Sequence, residues 1–401
     1  MLPHPKICIL PWVSVETTPT GSMRPCCLST TEITHNGNLL SVEQGLSTAY
    51  GSDSMVQLRQ QFINGEQPAG CERCWAEENA GRTSKRQWHL RKFANQTEKI
   101  KWHETQPQQL WFLDLKLGNI CNLKCRICGT WSSSRWAQEE IDYQTIQDPK
   151  QTRAYQQLRQ GEWPRRTSNF WQDLTTLLPQ IKYIEFTGGE PFLIKEHVSL
   201  LQQAVDLDLS KEISIHYNTN GTVWDQELSQ VWKHFKSVEI AFSIDNIGAR
   251  FELERSGASW IEVCENVDRA KLLRQQSKNI KLQICMTINI QNVFYFDELG
   301  NWALDQGFDM VYVNMLHDPP HMNIGHMTKS AADLVIGKLK NTEFHFMLQN
   351  DVQGIIRFIQ NGTGSDGQDF CNFMKRTDVN RKENFALTHP EIAKAMGYES
   401  T

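Results

Sequence analysis

Eleven cysteines punctuate this 401-residue chain, and most of them are grouped. Cys121, Cys125 and Cys128 form a Cys-x3-Cys-x2-Cys run. Cys8, Cys26, Cys27, Cys71 and Cys74 lie in the first quarter, whereas Cys264, Cys285 and Cys371 stand alone. The N-terminal residues MLPHPKICILPW contain no apolar stretch resembling a secretion signal, and an odd cysteine count without one is poor material for a disulfide framework. Closely spaced thiolates are what iron–sulfur clusters use. Three of them leave one iron of a [4Fe–4S] cluster open, and an open iron binds and activates a ligand. Zinc is the competing reading for the run, but a structural zinc takes four protein ligands and no fourth cysteine or histidine sits close by. The first-quarter group offers five thiols for a four-ligand site, with Cys71-x2-Cys74 as its chelating pair.

The elements that must position these groups follow from periodicity. Residues 1–105 are rich in Pro, Gly, Thr and Cys, with one short helical stretch at 54–62, and read as a small metal-stapled module. From 106 to 325, strands expected at 110–117, 183–187, 213–218, 238–245, 281–290 and 310–316 alternate with helix-length segments, the pattern of βα units on a parallel sheet. Residues 326–401 read as a helical cap. Strands of a fully covered parallel sheet are continuous apolar runs, but these alternate. Leu282, Ile284, Met286 and Ile288 share one face of their strand; Gln283, Cys285, Thr287 and Asn289 share the other. Asp114 and Lys116, Ser214, His216 and Asn218, and Ser243 and Asp245 fall likewise on polar faces. A complete barrel fills its interior with apolar layers, so the expected architecture is an α/β, partial (β/α)6 TIM-type barrel around a polar lumen. An antiparallel sheet with one wetted face is the alternative, and helix-length connections argue against it.

With 39% hydrophobic and 22% charged residues, the composition is that of a globular protein. The net charge of -5 gives no basic footprint for nucleic acid. No segment is apolar for long enough to span a membrane, and a cytoplasmic location is expected. No phosphate loop, serine-nucleophile motif or zinc-protease helix is present.

The run Cys121-Asn-Leu-Lys-Cys125-Arg-Ile-Cys128, followed by Thr187-Gly188-Gly189-Glu190-Pro191 at the end of the next strand, resembles the radical S-adenosylmethionine (SAM) superfamily. The resemblance implies a [4Fe–4S] cluster on the three cysteines, with SAM on its open iron. Gly188, Gly189 and Glu190 would then meet the SAM amino group. It further suggests Ser243, Asp245 and Arg255, the last in the following helix, for the SAM carboxylate and ribose, with Asn218 lining the same pocket beside Asn220. Ile127 stands where the family commonly has an aromatic residue. The implied activity is reductive cleavage of SAM to a 5′-deoxyadenosyl radical that takes hydrogen from a substrate C–H bond.

Cys8-(x17)-Cys26, with Gly21 shortly before Pro25-Cys26-Cys27, resembles the start of the auxiliary-cluster modules called SPASM or twitch, here placed before the barrel. That predicts one auxiliary [4Fe–4S] cluster from Cys8, Cys71, Cys74 and either Cys26 or Cys27, against a four-thiolate zinc site. Relatives with such modules often modify peptides or proteins by crosslinking, epimerisation or oxidation, so a peptide or protein substrate is expected, with a sugar, nucleoside or other small molecule as the alternative. An electron donor such as flavodoxin or ferredoxin is implied. A non-catalytic iron–sulfur carrier or zinc-stabilised binding protein is the reading from another class. Cys285 and Cys371 are candidate hydrogen-atom donors, and Cys264 reads as core.

Overall fold

A computed structural model describes residues 2–79, 81, 83–144 and 148–399. The extreme ends of the predicted first and last domains, Met1 and residues 400–401, lie outside the described residues. The chain resolves into two compact units. The first comprises Met1–Cys121, Thr130–Asn218 and Asp225–Val238; the second comprises Asn122–Gly129, Thr219–Trp224 and Glu239–Thr401. The strands used below are, in chain order, β1 (Ser14–Thr17), β2 (Met23–Arg24), β3 (Phe112–Lys116), β4 (Lys124–Cys125) and β5 (Tyr183–Thr187). They continue with β6 (Ser214–Thr219), β7 (Ser237–Ser243), β8 (Arg255–Ser256), β9 (Ile280–Ile288) and β10 (Met310–Met315).

In the first unit the strand order is β2-β1-β3-β5-β6. The β1–β3, β3–β5 and β5–β6 pairs are parallel, and β2 returns antiparallel on β1. In the second unit β9 lies between β7 and β10 and runs parallel to β10, while the two-residue strands β4 and β8 pair antiparallel. All six expected strands are present, each end within two residues of its expected place. The connections are helical, as parallel neighbours require: Glu196–Asp206 joins β5 to β6, Trp260–Gln276 precedes β9, and Phe296–Asp305 joins β9 to β10. After β10 the chain is mostly helical, with Lys329–Asn341, Gln349–Gln360, Gln368–Arg381 and Pro390–Met396. The α/β class and the helical C-terminal region are as expected.

The alternation is real burial in β6 and most of β9, whereas β3 is buried on both faces, Asp114 included. In β6, Ile215, Tyr217 and Thr219 are buried while Ser214, His216 and Asn218 are half-buried. In β9, Leu282, Ile284, Met286 and Ile288 are buried, and Cys285 and Thr287 are half-buried; Gln283 is the departure, being buried too.

The N-terminal hundred residues hold more regular structure than their composition suggests. Helices Glu72–Asn79 and Lys85–Lys92 accompany Asp53–Ile63, and β1 extends the parallel sheet. Four residues are too few to show a period of two, which is why Ser14–Thr17 gave no strand signal. Its register places Glu16 beside Asp114, Asp114 beside Glu185 and Glu185 beside His216, a polar rung across four strands. The helix Lys85–Lys92, capped by the Ser84 hydroxyl, lies over this face. Lys85 Nζ stands 3.2 Å from Asp114, 3.5 Å from Glu185 and 2.9 Å from Cys27 Sγ. Arg24 and Lys116 hold Glu16 at 2.9 and 3.3 Å. Beside the rung, His89 stacks on Phe112 at 5.4 Å, within a core of Trp12, Phe62, Trp75, Phe93 and Tyr183.

Candidate active site

In the first unit, β3 and β5 end side by side. Beyond them Glu190 N donates to Ile120 O (2.8 Å), Gly189 N to Gly118 O (3.2 Å) and Leu117 N to Thr187 O (3.0 Å). The Thr187–Glu190 backbone is thereby laid against the residues leading into Cys121. Two glycines make this possible. A Cβ on Gly189 would overlap the Ile120 carbonyl, and one on Gly188, at φ +128°, would lie 2.9 Å from Gly118 O. Glu190 is buried and its Oε1 accepts from Phe192 N at 3.1 Å, capping the turn Pro191–Leu193. Thr187 Oγ1 is buried with no hydrogen-bond partner among the described residues. Cys121 is buried, and its N–H donates to Ser134 Oγ at 3.2 Å. Asn218 is half-buried near the end of β6.

In the second unit, Cys125 and Cys128 close a tight turn, with Cys128 N donating to Cys125 O at 3.0 Å. Pairing of β4 with β8 sets Cys125 opposite Arg255. Arg255 Nη1 reaches Cys125 Sγ at 3.8 Å, and Nη2 donates to Asp245 Oδ2 at 2.5 Å. The other Asp245 oxygen accepts Thr287 N at 2.8 Å. Hydrogen bonding with Cys128, helped by the Arg255 cation, outweighs burial and holds the Cys125 thiol at about 7. Arg255 Nε is buried with no partner among the described residues. Arg255 was expected in a helix; the helix Gly248–Glu254 ends one residue earlier, and Arg255 pairs as strand.

Ser243 ends β7 half-buried. The Cys285 thiol is pushed up to about 12 by burial and by the nearby Asp245. The structure thus gathers Cys125, Cys128, Asp245, Arg255 and Cys285 around one charge system. Cys371 is elsewhere, buried in the helix Gln368–Arg381 with its thiol on Met396 O at 3.4 Å. Cys264 is half-buried in Trp260–Gln276.

Two features lay beyond sequence reasoning. Asn220 Nδ2 donates to Asn122 Oδ1 (3.0 Å), Asn122 Nδ2 to Thr222 Oγ1 (2.8 Å), and Thr222 Oγ1 to Asn220 Oδ1 (2.6 Å). This closed ring braces the cysteine loop; in the sequence, Asn220-Gly221 carries a turn signal and a place beside Asn218, with nothing to announce the ring. Arg126, inside the cysteine run, is fully buried and ion-paired to Asp378 and Glu383. No local pattern announces a partnership across some 250 residues.

The N-terminal thiols also sort themselves. Cys8, Cys26 and Cys71 belong to the same aromatic core. Burial, with Cys26, Cys71 and Cys74 nearby, raises the Cys8 thiol well above its ordinary range. Burial likewise pushes Cys26 and Cys71 up to about 12. Cys27 is raised as well by burial, and its neighbours are Lys85, the carboxylates of Asp114 and Glu16, and Cys26. Among the described residues, no three His, Cys, Asp or Glu side chains are drawn together around a single metal ion. A lone zinc with bonds of about 2.3 Å would need its sulfurs within about 3.8 Å of one another; a cubane cluster gives each thiolate its own iron and asks for wider spacing.

Residues 115–282 match the family described as the radical SAM superfamily. That stretch is a radical SAM domain. The family's cofactors are a [4Fe–4S] cluster and SAM, and the residues present fit them: three cysteines of one loop, none in a disulfide, in the first unit a glycine-lined backbone beside a buried Thr187 hydroxyl with no partner among the described residues, and in the second a buried Arg255 Nε likewise without one. A GTP 3′,8-cyclase of Mannheimia succiniciproducens is 21% identical over 214 residues, 53% of this chain and 56% of that protein. The chain therefore spans about half the length of this curated relative. Among solved structures, native anSMEcpe with bound AdoMet and Cp18Cys peptide is similar at 15% identity and a TM-score of 0.37, over 69% of this chain and 62% of that one. Streptococcus suis SuiB bound to precursor peptide SuiA is similar at 14% identity and a TM-score of 0.35, over 76% and 62%. Among the described residues no helix is long and apolar enough to cross a membrane.

Proposed function

We propose that this chain is a radical SAM enzyme whose SAM-binding [4Fe–4S] cluster is held by Cys121, Cys125 and Cys128. The observation that carries this reading is the seating of Thr187–Glu190 on residues 117–120, a contact that only glycine at 188 and 189 permits. Bound together, the cluster and SAM supply one chemistry: an electron breaks a sulfonium C–S bond, giving methionine and a 5′-deoxyadenosyl radical that takes hydrogen from a substrate C–H bond. The chain's own residues bind and orient. The carbonyls of Gly188 and Gly189, with Glu190, suit an ammonium group. Arg255 offers its unpartnered Nε to a carboxylate, while Asp245, engaged by Arg255 and Thr287, fixes that guanidinium. Asn218 and Ser243, both half-buried at strand ends, are assigned to the ribose side.

Cys8, Cys26, Cys71 and Cys74 are assigned to an auxiliary [4Fe–4S] cluster. Mutual proximity of these four thiols supports the set, and the commitment of Cys27 to Lys85 favours Cys26 over its neighbour. The proposed substrate is a peptide or protein, on the resemblance of the cysteine module to SPASM and twitch modules, with reduction by a flavodoxin or ferredoxin in the cytoplasm. A nucleotide substrate is the second reading, favoured by the GTP 3′,8-cyclase relative. Cys285, beside Asp245, is the stronger hydrogen-donor candidate of the two proposed.

Anaerobic reconstitution with iron and sulfide, followed by dithionite-driven assay, tests the proposal. The expected result is about eight irons per chain with 5′-deoxyadenosine formed, accelerated by peptides more than by nucleoside triphosphates. Absence of any cluster on the triad would end the reading. About four irons with retained turnover would hand the N-terminal thiols to zinc.

A further inference from the structure

Arg126 lies between two of the cysteines assigned to the SAM cluster, and its guanidinium is committed to the C-terminal helices. Nη2 donates to Asp378 Oδ1 at 2.5 Å and to Glu383 Oε2 at 2.6 Å, and Nη1 meets Met374 Sδ at 3.0 Å. Those carboxylates are themselves fixed. Asp378 Oδ2 accepts Phe385 N at 2.7 Å and Tyr398 OH at 2.6 Å, and Glu383 Oε1 accepts Ser256 Oγ at 2.5 Å. The loop backbone is held from the same side, by Arg381 Nη1 on Lys124 O and by Arg126 N on Glu254 O, both at 2.7 Å.

A buried cation shared by two carboxylates is expensive to desolvate and persists only where its geometry is closely satisfied. Packing alone would be served as well by an apolar side chain at 126. What the ionic arrangement adds is a fixed set of charges anchored on the residue that lies between Cys125 and Cys128 in the chain. Reduction of a thiolate-bound cluster adds a negative charge, which a nearby cation favours and a nearby carboxylate opposes. Hydrogen bonds and charges around the ligands are among the determinants of cluster potentials.

We propose that Arg126, Asp378 and Glu383 form a clamp through which the C-terminal helices position the cysteine loop and set the reduction potential of its cluster. These are positioning residues acting through the loop, and the proposal rests on the radical SAM reading. The test is an EPR-monitored redox titration of the reconstituted full-length protein, following the signal that responds to SAM. Glu383→Gln and Asp378→Asn each remove a negative charge and should raise the midpoint potential relative to the parent. Arg126→Gln removes the cation and should lower it. Glu383, the most exposed member of the clamp, gives the variant that best preserves folding. Opposite shifts from opposite charge changes cannot come from simple loosening. Unmoved potentials in loaded variants, or Glu383→Gln and Arg126→Gln shifting in the same direction, would overturn the clamp alone. A parent protein with no SAM-responsive signal would overturn the radical SAM reading, and the clamp with it.

Discussion

Cys125 sits beside a guanidinium, in a loop whose backbone is pinned on both sides; Cys26 and Cys71 sit against tryptophans and phenylalanines. The thiols answer accordingly. Hydrogen bonding and the Arg255 cation hold Cys125 at about 7, while burial drives Cys26 and Cys71 up to about 12. Metal ligation requires thiolates, so neutral buried thiols surrender protons as the metal enters. Under the proposed assignment, the first environment surrounds the SAM cluster and the second the auxiliary cluster. Charge placed near a sulfur and apolar surface placed around it would then be two different ways to keep a cysteine for metal.

The sharpest way to break that comparison is to remove one cysteine from each group. Cys125→Ser should abolish 5′-deoxyadenosine formation and reduce iron from about eight to about four per chain. Cys71→Ser should lose the same iron yet retain dithionite-driven SAM cleavage. If both variants lose cleavage completely while the fold survives, the division of labour between the groups is wrong. A finer cut separates adjacent residues. Cys26→Ser should behave like Cys71→Ser, whereas Cys27→Ser should keep the full iron load, since Lys85 holds its sulfur and it is Cys26 that stands near Cys8 and Cys71. Iron and sulfide counts on the two variants decide it.

Cys27 also shows where sequence stops being legible. The Cys-x3-Cys-x2-Cys run, the Gly188-Gly189-Glu190 segment and the strand alternation are local patterns, and each was readable because its chemistry lies within a few residues. The choice between Cys26 and Cys27 is not local. It depends on Lys85, Asp114 and Glu16, brought together by a four-residue strand and an eight-residue helix that leave little periodic trace. The Arg126 clamp was invisible for the same reason, since its carboxylates come from the far end of the chain. Asp245 and Arg255 could be placed together from motif resemblance, but that they bind each other needed coordinates.

Lys85 permits a test of the covered polar face. Its Nζ pairs with Asp114 and Glu185, and Lys85→Met would leave the buried Asp114 and half-buried Glu185 with Lys92, His89 and His216 as the nearby cationic or titratable groups named among the described residues. Breaking a buried pair in this way should cost about 3 kcal/mol at pH 7. Burial raises the Glu185 carboxyl, but Lys85 and His216 outweigh it and hold it below its ordinary value of 4.5. Its contribution is therefore present above that value and lost as pH falls through the lowered one. In Lys85→Met, burial dominates and the carboxyl shifts upward, so protonation relieves the variant. The stability gap between parent and variant should narrow as pH falls from 7 toward 4, measured by urea unfolding. A gap independent of pH would mean that the helix Lys85–Lys92 is held by its aromatic contacts alone.

The smallest expected effect separates two asparagines two residues apart. Asn218 lies half-buried on the polar face of β6, and Asn220 is buried in the ring with Asn122 and Thr222. Asn220→Ala removes a donor to Asn122 and the acceptor for both Thr222 N and Thr222 Oγ1. Such bonds contribute about 1 kcal/mol each when their partners can turn to water, and the Thr222 groups can do so in part. A loss of about 1.5 kcal/mol, or a Tm lower by about 3 °C, is expected, with iron loading reduced because Asn122 is the residue after Cys121. Asn218→Ala should instead leave Tm within about 1 °C, since a half-buried side chain loses little on truncation, and raise KM for SAM. Differential scanning calorimetry and a SAM titration on the same preparations read both quantities. If Asn218→Ala melts early while SAM affinity is untouched, the two asparagines share one structural role, and the ribose side of the site must be sought on β7 and β9.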